Sequence, residues 1–252
     1  MTTAHPPGRG AVAALDRLLR GQLTSAFQVR TGETLPLKVF VPWAIALGAS
    51  YGFFMGWYAL TGGKDDALRH VVAVMVKLPL LFLGTLLVTF PSLYVFNAML
   101  GSRLGFRATL RLLVATIVVN LAIAASLGPI LGFFTLSTSS YGFMVLLNVA
   151  LLGVAGLVSI GFLIKTLAAL QFQSPEPDEM PPLMSVGDEH PRREGTGLWL
   201  FVVWIFTYGI VGAQMGWILR PFIGAPGVPF ELFRLRDGSF LQGVYNAVQH
   251  ML

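Results

Sequence analysis

The chain has 252 residues, of which 55% are apolar and only 12% charged, where an ordinary soluble domain carries about a quarter charged residues. That composition argues against a water-soluble fold. The formal charge is +5, and the 17 Lys and Arg form no dense basic patch of the kind that grips nucleic acid. With no cysteine there are no disulfides, thiolate nucleophiles or Cys-ligated metals.

The first 38 residues are a leader. Within it, Val12, Leu15, Leu19, Leu23 and Phe27 recur at helical spacing while Asp16, Arg17 and Arg20 fall largely elsewhere. This pattern predicts a cytoplasmic amphipathic helix, lying on anionic lipid or on the protein's own loops. Because the first apolar run begins only near residue 39, it reads as an uncleaved anchor.

Crossing a hydrocarbon layer of about 30 Å takes roughly 20 apolar residues at 1.5 Å each. Five nearly uncharged runs meet that length, at residues 39–60, 71–100, 112–136, 141–164 and 198–219. Trp43, Trp57, Trp199 and Trp217 lie on the first and fifth runs, as interfacial belts require. The predicted fold class is therefore all-α: a polytopic membrane bundle of five transmembrane helices with interfacial N- and C-terminal helices. Transmembrane helices one to four fall in residues 39–170 and the fifth in 196–219.

Residues 171–195 hold six of the twelve acidic residues and five prolines, a composition that predicts a flexible cytoplasmic linker. Residues 220–252 are expected to form an external interfacial cap. There Ser239 caps a predicted helix with Leu241, Val244, Tyr245, Val248 and Leu252 on one side.

Basic residues orient the bundle. With the N-terminus inside, the cytoplasmic side receives Arg9, Arg17, Arg20, Arg30, Lys38, Arg103, Arg107, Arg111, Lys165, Arg192 and Arg193. The other side receives Lys64, Arg69, Lys77, Arg220, Arg234 and Arg236. The excess predicts a cytoplasmic N-terminus and an external C-terminus, in a bacterial inner membrane.

Helices in lipid associate through small residues that let backbones approach. Ala44, Gly48, Gly52 and Gly56 form one stripe of this kind on the first run, and Gly212 and Gly216 share the spacing on the fifth. Gly153, Gly156 and Ser159 lie about one turn apart on the fourth. These stripes predict either packing within the bundle or a subunit contact around an oligomer axis.

Lys77 is the one ionisable residue clearly inside a run, buried or snorkelling to the interface. With Asn97, Asn120, Asn148 and Gln214 it defines a candidate polar path, although such neutral groups also bond between helices. Pro79, Pro91 and Pro129 mark candidate helix kinks.

Enzyme signatures are sparse. His5, His70, His190 and His250 are scattered, with only Asp188, Glu189 and His190 adjacent, and Ser50, Ser92 and Ser159 have no base in sequence reach. No catalytic residue, metal or cofactor is expected. The expected partners are the lipid bilayer, a second copy of the chain or a larger membrane complex, with no nucleic acid.

The stretch LYVFNAMLGSRLGFRATLRLLVATIVVNLAIAASLGPI, residues 93–130, resembles the central part of the Yip family of Ypt/Rab-interacting membrane proteins and their bacterial relatives. In that pattern a span ends at a small-residue turn, an amphipathic connector follows, and the next span carries a proline. The matching residues are Gly101, Phe106, Thr109, Leu110, Arg111 and Pro129. The resemblance implies five spans, a cytoplasmic N-terminus, an external C-terminus and a non-enzymatic membrane organiser. The block from Arg220 to Leu252 is longer than the resemblance implies.

The expected function is a membrane scaffold or accessory subunit. The alternatives are a channel or small-solute transporter using Lys77, Asn120 and Asn148, and, third, a lipid-modifying enzyme.

Overall fold

The computed structural model describes residues 7–23, 36–61, 66–99, 106–138, 140–172 and 196–219. The described secondary structure is six helices, with no strand among the described residues: α1 Pro7–Leu19, α2 Leu37–Thr61, α3 Ala67–Met99, α4 Phe106–Ser137, α5 Tyr141–Phe172 and α6 Thr196–Leu219. Residues 173–195 of the acidic linker and 220–252 of the C-terminal cap lie outside the described residues, as does Phe27.

Helices α2 to α5 are each long and apolar enough to cross a membrane. They are apolar on every side, as helices that exchange water for lipid or protein all round must be. Helix α6 spans 24 residues, of which Val202–Gly216 forms its described apolar stretch.

Pro42, Pro79, Pro91 and Pro129 all lie inside unbroken helices. The three candidate kink sites therefore interrupt no element, and Pro42 joins them. Each ring removes one ladder bond while the helix continues on either side.

Helix α2 is the hub, packing along both α3 and α4. Helix α5 packs on α4 and α6 on α3, while α5 and α6 barely touch each other. Two apolar clusters fill the interior. One joins Phe40, Leu112 and Trp204, and the other joins Tyr51, Leu78 and Met144.

Helix α1 folds back onto this bundle. Leu18 is fully buried, Leu23 nearly so, and the indole Nε1 of Trp43 donates to the Ala11 carbonyl at 3.1 Å. The buried face runs through Leu18 and Leu23 with Leu15 packed beside them, so Leu15 and Leu23 of the predicted stripe face the bundle while its Val12 and Leu19 remain about half exposed.

Gly21 ends α1 at φ 71°, a conformation that suits a residue without Cβ. Its N–H donates to the Leu18 carbonyl and that of Gln22 to the Arg17 carbonyl, a Schellman closure. Arg20 Nε donates to both carboxylate oxygens of Asp16 at 2.9 and 3.0 Å, and these bonds hold its guanidinium above the ordinary arginine range.

Candidate functional site

The predicted glycine stripe on α2 lies against α3. A Cβ on Gly48 would sit 3.0 Å from Pro79 Cβ, one on Gly52 2.9 Å from Met75 Cα and 3.0 Å from the Val74 carbonyl oxygen, and one on Gly56 2.9 Å from Val71 Cα. Ala44 is fully buried in the same helix. Two of these opposing atoms are backbone Cα and one a backbone oxygen, so no side chain can swing away. The glycines let two backbones meet.

Gly212 and Gly216 on α6 also face α3, against Thr85 and Leu81, at the ordinary contact distances of 3.6 and 3.5 Å. A further notch was not anticipated. The Phe54 ring of α2 seats against Gly128 and Gly132 of α4, where added Cβ atoms would lie 2.5 and 3.0 Å from its carbons. Their own i, i+4 spacing carried the signal.

The candidate polar residues do not share one surface. Asn148 is fully buried, accepting from the Tyr51 hydroxyl at 2.6 Å and donating from Nδ2 to Met55 Sδ at 3.5 Å. This closes it into a link between α5 and α2. Lys77 is buried on α3 at 9% exposure, and Gln214 is exposed on α6. The side chain of Asn97 lies outside the described residues.

Asn120 faces something else: a cleft of about 380 Å³ bounded by α3, α4, α5 and α6, with no residue of α2 in its wall. The cleft exists because α5 and α6 diverge while each holds to a different neighbour. Its wall is apolar apart from a few hydroxyl and ring N–H groups, and those are engaged.

Thr85 donates to the Leu81 carbonyl at 2.6 Å, Thr116 to Leu112 at 2.9 Å and Ser159 to Gly156 at 2.8 Å. Trp204 Nε1 donates to the Thr89 carbonyl at 3.2 Å and the Tyr208 hydroxyl to the Phe82 carbonyl at 3.0 Å. Asn120 breaks the pattern, because its Oδ1 is buried without a hydrogen-bond partner.

The glycines of this wall differ from those on α2. A Cβ on Gly153, Gly156 or Gly209 would meet nothing within 4 Å. These positions leave open space along the cleft.

Among the described residues no group of three His, Cys, Asp or Glu is placed to hold a metal ion. His5, His190, His250 and the Asp188-Glu189-His190 cluster lie outside them. Comparison of the chain with protein-family models, with curated proteins and with solved structures returns no match.

Proposed function

We propose that the protein is a non-enzymatic integral membrane scaffold or accessory subunit, of five spans, that assembles with itself or with a larger membrane complex. In this reading α6 is the fifth span: 24 residues at 1.5 Å each reach about 36 Å, enough for the hydrocarbon layer. The N-terminus is cytoplasmic and the C-terminus external in a bacterial inner membrane, as the basic-residue bias and the Yip resemblance both imply.

The observation that carries the assembly reading is the outer face of α5. Only 22% of its most apolar window is buried, against 56% for α4. Ala150, Val154, Leu157, Val158 and Gly161 share that face, and a Cβ on Gly161 would meet nothing within 4 Å. A glycine inside a helix costs about 1 kcal/mol against alanine. A neighbouring helix packed against the gap offsets that cost, whereas lipid does not.

A channel needs polar groups in file, and here Asn148 is sealed to Tyr51 while only Asn120 reaches the cleft. Native mass spectrometry of protein extracted in mild detergent tests the assembly reading. It is expected to find more than one copy or a constant companion, reduced by Gly161→Leu. A lone chain with no companion, together with solute flux in liposomes abolished by Lys77→Ala, would replace this reading with the transporter.

A further inference from the structure

The cleft lies on the opposite side of α5 from the assembly face, so its use is a separate question. We propose that it binds one molecule of a long-chain hydroxylated lipid, a hydrocarbon tail bearing a hydroxyl that donates to Asn120. Three observations carry this.

The first is shape. Along α6 the wall runs from Trp204 to Gly216, twelve steps of 1.5 Å, or about 18 Å. A volume of about 380 Å³ open to the centre of a water-sized sphere over that length makes a slot on the order of 8 Å from wall to wall. A helix with its side chains is roughly 10–12 Å wide. The slot is wide enough for a hydrocarbon chain and narrower than a helix with its side chains.

The second is chemistry. Every other polar group named on the wall already donates to a backbone carbonyl, so the slot offers a tail nothing but carbon. Asn120 is the exception, and an acceptor left unbonded in a buried apolar wall is unfavourable until a donor arrives. Its oxygen is closed to a water-sized sphere as it stands. Asn120 lines the slot, and the proposal requires a turn about its soft Cβ–Cγ torsion to present that oxygen to the ligand.

The third is placement. Asn120 lies fourteen residues into α4, about 21 Å from its start and near the middle of that 32-residue helix. Water that would otherwise satisfy the amide is scarce at that depth. The donor must come with a molecule soluble in hydrocarbon.

Photolabelling of the purified full-length protein with dodecanol carrying a terminal diazirine tests the proposal. The expected labelling saturates at one molecule per chain and maps to cleft residues such as Leu152, Ile160 and Ile205. Unlabelled dodecanol should compete about tenfold better than dodecane, the difference made by one buried hydrogen bond. Asn120→Leu should erase that preference while leaving tail binding intact.

Gly156→Phe or Gly209→Leu, both entering open space in a chain that keeps its fold, should abolish labelling. Label that never saturates or that falls equally on Leu157 and Val158 overturns the proposal. So does equal competition by alcohol and alkane, or two chains cross-linked through the cleft in place of the probe.

Discussion

The hydroxyl of Tyr51 and the amide of Asn148 meet across 97 positions of sequence, both fully buried. Such a pair contributes about 1 kcal/mol in a membrane bundle. Tyr51→Phe leaves the Asn148 oxygen without its donor and Asn148→Leu leaves the phenol without its acceptor, so each is expected to lower unfolding free energy in detergent by about 1–3 kcal/mol. Gln214→Leu, at an exposed site, is expected to leave the unfolding midpoint unchanged. Equal losses from all three would show that the Tyr51 bond carries no special weight.

That an asparagine in an apolar run would bond to another helix was legible, because lipid offers no alternative partner. Which helix was not. The answer depends on the rotation of α2 and α5 about their axes, and these are set by different neighbours, α3 and α4 for α2 and α4 for α5. Asn120 and Asn148 look alike in sequence, yet one is paired and the other opens on the cleft.

Among the elements, α2 owes its central place to its glycines and to Phe54. Gly52→Leu pushes a side chain into the backbone at Val74 and Met75, so α2 and α3 must separate. Overpacking of this kind costs typically 1–3 kcal/mol or more. Thermal unfolding in detergent should therefore occur well below the parent midpoint for Gly52→Leu and near it for Gly156→Leu. Reversal of that order would contradict the packing described here.

The stripe itself was readable from its period of four. Its partner was not, since a smooth face records that something approaches and not what.

Helix α1 shows the converse. Its amphipathic period was plain, and Leu15 and Leu23 of the predicted face do pack on the bundle, but Leu18 joins them while Val12 and Leu19 stay about half exposed. The bond from Trp43 to Ala11 holds it there. Trp43→Phe removes the donor, and hydrogen exchange across residues 8–20 should then speed up while α2 to α5 stay protected. Unchanged exchange would mean that Leu18 alone anchors the helix.

At the scale of the whole molecule, four membrane-length helices were legible from composition alone, because bilayer thickness sets a length that few other constraints impose. Their neighbour relations were not. The order α6, α3, α2, α4, α5 follows no sequential rule, and the cleft arises from it: α5 and α6 follow different partners and leave space between them. No periodicity announces a void.

Under the five-span topology proposed above, an odd number of crossings puts the two ends of the chain in different compartments. The absence of native cysteine makes this directly measurable. Single cysteines introduced as Thr3→Cys and Gln249→Cys, in cells or sealed right-side-out vesicles, can be challenged with a membrane-impermeant maleimide. The reagent should reach Gln249→Cys at once and Thr3→Cys only after lysis. Equal labelling of both before lysis would contradict the five-span account.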